Sequence, residues 1–335
     1  MAKNVTVVGA GSWGTALAQV LCDNQNNVKL YDLNQEIVDD INQNHRNSRF
    51  FADVQLPVGL AATTNLTEAL KDAQIILLSV PTKVIRDVLK TINEQLDHAV
   101  MIINASKGIE PGTHKRVSEI VAEEIDQTYL EAFVALSGPS HAEEVIERAL
   151  TTVTCAATVA DKANEIQKMF NNEYFRVYRV DDLIGVEIGG SIKNVIALAA
   201  GIIAGLGYGD NPKAALITRG LVEIKRLGAA VGAKEETFSG LSGLGDLIVT
   251  CTSVHSRNWQ AGYKIGSGSN LQEAIDSMTM VVEGVRTCQA TYEMAQALQI
   301  EMPIVETVYE VIFNKLDPRV AIAQLMTREM KPEFY

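Results

Sequence analysis

Through the first half of the chain, short and nearly unbroken apolar runs alternate with stretches in which apolar residues recur at helical spacing. The runs predict strands over residues 5–8, 28–32, 74–80, 99–104 and 131–136, with a further pair at 151–157 and 175–180. Helices are predicted after Gly14, near 35–43 and over 82–93. Such alternation is the mark of a mostly parallel sheet covered on both faces. Near Asp181 the pattern changes to long helical periodicities at 192–204, 212–232, 256–266, 271–277, 284–298 and 303–314. The boundary is placed between Asp181 and Ile192, giving an α/β part over 1–187 and an all-α part over 188–335.

The first strand runs into Gly9-Ala-Gly11-Ser-Trp-Gly14, a G-x-G-x-x-G turn that opens a helical pattern. Gly9 suits the tight turn, Gly11 lets the backbone approach a pyrophosphate, and Gly14 lets the helix pack on the strand. The second strand ends in Asp32, where an acid hydrogen-bonds an adenosine ribose. Strand, turn, helix and acid together predict a Rossmann-like, doubly wound dinucleotide-binding domain. The later strands each end in a polar loop, at the edge where such sheets bind ligands.

At 335 residues the chain exceeds the roughly 250 to 300 at which a single core stops growing, so two domains are expected. A formal charge of −12 speaks against a nucleic-acid partner. Cys22, Cys155, Cys251 and Cys288 are scattered with no C-x-x-C, which points to a reducing, cytoplasmic compartment. The first strand begins too early to leave space for a signal segment. The longest apolar stretch, 195–207, falls short of the roughly 20 residues of a spanning helix, so no membrane insertion is expected. The five histidines form no ligand pattern, and no metal is predicted. Apolar helices in the second half leave room for a homodimer.

Several polar residues stand where chemistry could sit. Lys193, by spacing alone, opens a long apolar helix and would snorkel outward. Lys107 follows a strand end in Ser106-Lys-Gly108. Asp246 ends the glycine-rich loop Gly240-Leu-Ser-Gly-Leu-Gly-Asp246, where a helix cap is the common use. Arg257 and Asn258 stand at the start of a predicted helix, a favourable place for an anion.

The motifs Gly9-Ala-Gly-Ser-Trp-Gly-Thr-Ala16, Ser106-Lys-Gly108, Ser137-Gly-Pro-Ser140 and Gly185-Val-Glu-Ile-Gly-Gly-Ser-Ile-Lys193-Asn194 are followed by Ala215-Leu-Ile-Thr-Arg219-Gly and Leu244-Gly-Asp246-Leu-Ile-Val-Thr250-Cys-Thr. Ser256-Arg257-Asn258 and Val281-Val-Glu283-Gly284 complete the set. Together they resemble the bacterial-type NAD(P)-dependent glycerol-3-phosphate dehydrogenases from near residue 5 to near residue 285. The resemblance implies reduction of dihydroxyacetone phosphate to sn-glycerol 3-phosphate by NAD(P)H, supplying glycerophospholipid synthesis.

It also implies roles. Lys193 would be the catalytic lysine, with Asp246 against it and Lys107 a second cation near both substrate and cofactor. Gly138, Ser140, Asn194, Thr250, Ser256, Arg257 and Asn258 would bind substrate, the Arg257–Asn258 pair on its phosphate. Gly9, Gly11, Ser12, Trp13, Gly14, Asp32, Ala142, Arg257, Val281 and Glu283 would bind the cofactor. His141, beside Ser140, would suit a 2-hydroxy-acid dehydrogenase, but the resemblance leaves it a neighbour.

One departure bears on cofactor choice. Relatives that use NADPH often carry a basic pair after the second strand, whereas this chain reads Tyr31-Asp32-Leu33-Asn34. A carboxylate there accepts from a ribose 2′-hydroxyl and repels a 2′-phosphate, so NADH is expected over NADPH, with Arg46 or Arg49 as the residues that would rescue NADPH. Phe50-Phe51-Ala52 also departs from the usual Tyr-Leu-Pro. A 6-phosphogluconate or 3-hydroxyacyl-CoA type dehydrogenase would share the fold, and a nicotinamide-sensing module would share the first domain only. The Gly243-Leu-Gly-Asp246-Leu loop and Ser256-Arg257-Asn258 argue for the triose phosphate over the other dehydrogenases, and a sensing module would have no need of Lys193, Asp246 and Arg257 together.

Overall fold

A computed structural model describes residues 2–278 and 281–333. Met1 and Tyr335, the outer ends of the two expected parts, lie outside the described residues. Within these, β1 (Asn4–Val8), β2 (Asn27–Tyr31), β3 (Ala61–Thr63), β4 (Ile75–Leu78), β5 (Val100–Asn104), β6 (Leu130–Ser137), β7 (Thr151–Ala157) and β8 (Phe175–Arg179) form one sheet. Its order is β3-β2-β1-β4-β5-β6-β7-β8. The strands from β3 across to β6 are parallel, β7 runs antiparallel to β6, and β8 is parallel to β7.

Every residue of β4 and β5 is buried, which is why their sequences read as unbroken apolar runs. On the outer strand β8, Phe175 and Val177 are buried while Arg176, Tyr178 and Arg179 are exposed. The strand order reverses between β1 and β4. The loops after these two strands diverge there and leave a crevice, the usual ligand position in an open α/β sheet. Among the strands of the described residues, only β3, three residues long, was not predicted, because Ala61-Ala-Thr63 carries no alternation to read.

A 23-residue helix, Leu183–Gly205, forms the axis of the remaining chain. It begins at Leu183 and not at Ile192, so Lys193 lies in mid-helix and does not open it. Three glycines, Gly185, Gly189 and Gly190, fall in its first half, and each is a point of close approach. A Cβ at Gly189 would lie 2.6 Å from the Ser242 carbonyl oxygen, and one at Gly190 2.6 Å from Ser137 Oγ. Asp182 caps the helix, accepting from the Gly185 amide at 2.9 Å, while its other oxygen accepts from Thr237 Oγ1 at 2.6 Å. The helix passes residues 187 and 188 without a break.

The length of this helix also corrects the argument from the stretch 195–207. By length and composition the helix is long enough to cross a membrane, and 83% of its most apolar window is buried inside the protein. It is a core helix, packed against Arg257–Gly266 and Glu283–Leu298.

Candidate active site

The crevice opens into a cavity of about 490 Å³ bounded by the carboxyl edge of the sheet and by the helices of the second half. One end is lined by Gly9, Gly11, Ser12, Trp13 and Asp32, the other by Lys107, Ser140, Lys193, Asn194, Thr250 and Ser256. Ala142, Arg257, Asn258, Val281 and Glu283 also line it. Residues predicted from both halves of the chain therefore meet in one space. Gly14, Gly138 and Asp246 stand behind it.

The glycine turn is built for close approach. Gly9 takes φ +105°, a conformation open to glycine, with the Ser79 carbonyl oxygen 2.9 Å from where a Cβ would be. At Gly14 a Cβ would lie 2.0 Å from the Gly9 oxygen, so the helix Ser12–Asp23 rests directly on the turn. Gly11 differs, because a Cβ there would meet nothing within 4 Å. Its bareness serves the cavity and not the packing.

That helix has no side-chain cap and no acid in its first turn, which leaves its N-terminal amides to an anion. Asp32 Oδ2 accepts from the Ala10 amide at 2.8 Å and Oδ1 from the Asn34 amide at 2.9 Å. Asn47 holds the turn from the other side, donating to the Ala10 oxygen and to Thr15 Oγ1, both at 2.9 Å. A bare turn, an uncapped helix end and a fixed carboxylate fit a dinucleotide.

At the other end, Asp246 follows a single wide helical turn over Leu241–Gly245, and its side chain is not a cap. Its Oδ1 accepts from Lys193 Nζ and its Oδ2 from Lys107 Nζ at 2.6 Å. Lys193 also donates to Thr250 Oγ1 at 2.8 Å, and that hydroxyl donates to the Asp246 carbonyl at 2.6 Å. Lys107 donates further to the Gly138 carbonyl at 3.3 Å.

Burial draws the Lys193 ammonium down to about 7, with Asp246 resisting and Lys107 reinforcing the shift. Burial alone would raise Asp246, but the charges of Lys107 and Lys193 hold it below the usual carboxylate range. The carboxylate thus keeps its charge, and Lys193 carries the loosely held proton. An amine so placed can both give and take a proton near neutrality.

Beside this group, Ser256 Oγ accepts from the Trp259 amide at 3.3 Å and caps the helix Arg257–Gly266. Asn258 Oδ1 accepts from the Gly284 amide at 2.8 Å, which leaves its amide nitrogen free to donate to a ligand. Among the described residues, nothing hydrogen-bonds the Arg257 guanidinium; burial weakens its hold on its proton, while Glu143 and Glu283 act the other way. A half-buried guanidinium beside a helix N-terminus suits a phosphate.

Some lining residues were not predicted. Ser79, Val80 and Pro81 follow β4, and Ala105 and Ser106 follow β5; their signal was their place after an apolar run. Ile37 also went unread, and it borders the Asp32 end beside Arg49 and Phe50, two residues the sequence had pointed to for the adenosine side. His141 and His255, from opposite halves of the chain, set their rings 5.9 Å apart on the wall. Burial pushes His141 below the usual histidine range, the Val249 carbonyl opposes this, and Lys193 adds to it.

Residues 4–163 match the family described as NAD-dependent glycerol-3-phosphate dehydrogenase N-terminus, and residues 182–323 match its C-terminus. A glycerol-3-phosphate dehydrogenase [NAD(P)+] of Bacillus cereus is 54% identical over 329 residues, 98% of this chain and 97% of the relative. The crystal structure of a glycerol-3-phosphate dehydrogenase from Coxiella burnetii is 36% identical, with a TM-score of 0.93 over 98% of this chain and 99% of that one. A yeast glycerol-3-phosphate dehydrogenase structure shares 27% identity at a TM-score of 0.82, over 97% and 99% of the two chains. The chain belongs to the NAD-dependent glycerol-3-phosphate dehydrogenase family.

Proposed function

We propose that this chain interconverts dihydroxyacetone phosphate and sn-glycerol 3-phosphate with NAD(P)H, and that it prefers NADH. The observation that carries the reading is Lys193, buried in mid-helix at 5% exposure, hydrogen-bonded to Asp246 and open to the cavity shared with the glycine turn. Reduced nicotinamide, when bound, supplies a hydride to the carbonyl carbon. Lys193 gives its proton to the carbonyl oxygen as charge develops there, and takes it back in oxidation. Asp246 holds the amine in place, while Lys107 adds positive charge on the same side. Arg257, the amide of Asn258 and the capped end at Ser256 hold the phosphate, with Ser140 and Gly138 closing the site from the sheet edge.

The finer assignments follow from the same geometry. Asp32 is fixed by two backbone amides and lines the cavity, so it offers its remaining lone pairs to a 2′-hydroxyl and its charge against a 2′-phosphate. A dinucleotide-binding part through residue 187 and a catalytic part from 188 share the Lys193 helix. The four unpaired cysteines support a cytoplasmic setting, and the apolar helices of the second half leave room for a homodimer.

The test is NADH and NADPH oxidation followed at the nicotinamide absorbance with dihydroxyacetone phosphate. Turnover with a higher kcat/KM for NADH is expected. Absence of turnover with either cofactor defeats the reaction, and a higher kcat/KM for NADPH defeats the preference.

A further inference from the structure

Thr82 belongs to neither the glycine turn nor the lysine cluster, and the reaction above makes no use of it. It follows Pro81 at the carboxyl end of β4, beside the point where the strand order reverses, and it is 8% exposed. Its amide donates to Glu283 Oε1 at 2.9 Å and its hydroxyl to Glu283 Oε2 at 2.5 Å. The two residues are 201 positions apart, and Glu283 opens the helix Glu283–Leu298.

Thr82 is itself firmly seated. A Cβ at Gly108, after β5, would lie 2.7 Å from Thr82 Cγ2, so the threonine fills the space that glycine leaves. The head of the Glu283 helix is held on its far side too, where the Gly284 amide donates to Asn258 Oδ1 at 2.8 Å. Val80, Pro81 and Val281, which flank this bond in the chain, all line the cavity. Burial raises the Glu283 carboxyl, and the two bonds from Thr82 oppose the shift.

We propose that Thr82 is a positioning residue for the cofactor. By occupying both oxygens of Glu283 it ties the head of that helix to the sheet edge and fixes the width of the slot between Val80–Pro81 and Val281. A planar nicotinamide ring needs such a slot, because hydride transfer demands that donor and acceptor carbons be held close. Thr82 acts through Glu283 and does not touch the cofactor. This inference rests on the dehydrogenase reading.

The test uses the full chain with Thr82→Val, which keeps the amide bond and exchanges the hydroxyl for a methyl, and Thr82→Ser, which restores the hydroxyl. The NADH dissociation constant is measured by fluorescence titration without substrate, together with both KM values and the melting temperature. Thr82→Val should weaken NADH binding and raise its KM roughly 5- to 20-fold, with the KM for dihydroxyacetone phosphate within about twofold. Thr82→Ser should match the parent within about twofold. In a Glu283→Ala background, Thr82→Val should change nothing further, since the bond is already gone.

An unchanged NADH constant in Thr82→Val overturns the proposal. So do effects of Thr82→Val and Glu283→Ala that multiply independently, or a fall in melting temperature alone. A parent protein that binds neither cofactor overturns the dehydrogenase reading as well, whereas an active parent with an unaffected Thr82→Val removes only the role of Thr82.

Discussion

Lys193 and Asp246 are joined through Nζ and Oδ1 at a point where they are 5% and 1% exposed. The carboxylate is shared, since Lys107 takes its other oxygen at 2.6 Å. Removing either partner therefore has a different consequence. Lys193→Met leaves Asp246 paired with Lys107, so the fold should survive while the proton donor is lost. General acid catalysis contributes about 10²–10⁴-fold, and kcat should fall by that amount with NADH affinity retained. Steady-state kinetics beside an NADH titration checks this.

Asp246→Asn leaves two ammonium groups facing a neutral amide. Removing one partner of a buried pair costs about 3–5 kcal/mol. Lys193 has an escape, because it can shed its proton. Its folded-state affinity for that proton is already below the unfolded one, so the unfolded chain binds more protons and stability rises with pH through this range. Urea unfolding should show a larger loss relative to the parent at pH 6 than at pH 8. An equal loss at both would mean that Lys193 is not the group left unpaired.

The same amine sets the pH dependence of turnover. Carbonyl reduction consumes a proton and needs Lys193 charged, so kcat/KM for dihydroxyacetone phosphate should fall above about 7. Oxidation of glycerol phosphate needs the neutral amine and should rise through the same region to a plateau. Opposite limbs in the two directions are the signature, and Lys193→Met should flatten both. A common limb of the same sign would place the titrating group elsewhere.

Cofactor choice turns on Asp32. In Asp32→Asn the amide oxygen can still accept one backbone N–H, from Ala10 or Asn34, but the charge is gone. NADH should bind somewhat less well and NADPH better. The ratio of kcat/KM for NADPH to that for NADH should rise roughly tenfold or more, which corresponds to about 1.4 kcal/mol. If the ratio does not move, Asp32 serves the turn alone.

What the sequence disclosed and what it concealed follow from range of interaction. Strands β4 and β5 were legible because burial on both faces writes itself as an apolar run, and the glycine turn because each glycine has a local job. The start of the Leu183 helix was hidden. Gly185, Gly189 and Gly190 look like breakers until Asp182 with Thr237, the loop over Leu241–Gly245, and Ser137 are seen lying against them in turn. Resemblance supplied the partnership of Lys193 with Asp246, since 53 residues separate them and no periodicity links them. The Thr82–Glu283 bond left no trace at all, because neither residue stands in a pattern that needs the other.

Two glycines should separate folding from binding when each is replaced by alanine. At Gly189 the new Cβ would sit 2.6 Å from the Ser242 carbonyl oxygen and 3.6 Å from Gly243 Cα, both backbone atoms of the loop that delivers Asp246. The loop must shift, at a cost of about 1–3 kcal/mol, and Asp246 must shift with it. Gly189→Ala should therefore lower both the unfolding midpoint and kcat. Gly11→Ala meets no atom within 4 Å, and Gly11 already has an ordinary φ of −67°. Its unfolding midpoint should match the parent, yet the methyl projects into the space where a pyrophosphate must approach the helix end. NADH affinity should fall while stability holds. Should Gly11→Ala bind NADH as tightly as the parent, the cofactor's phosphates do not lie on this turn.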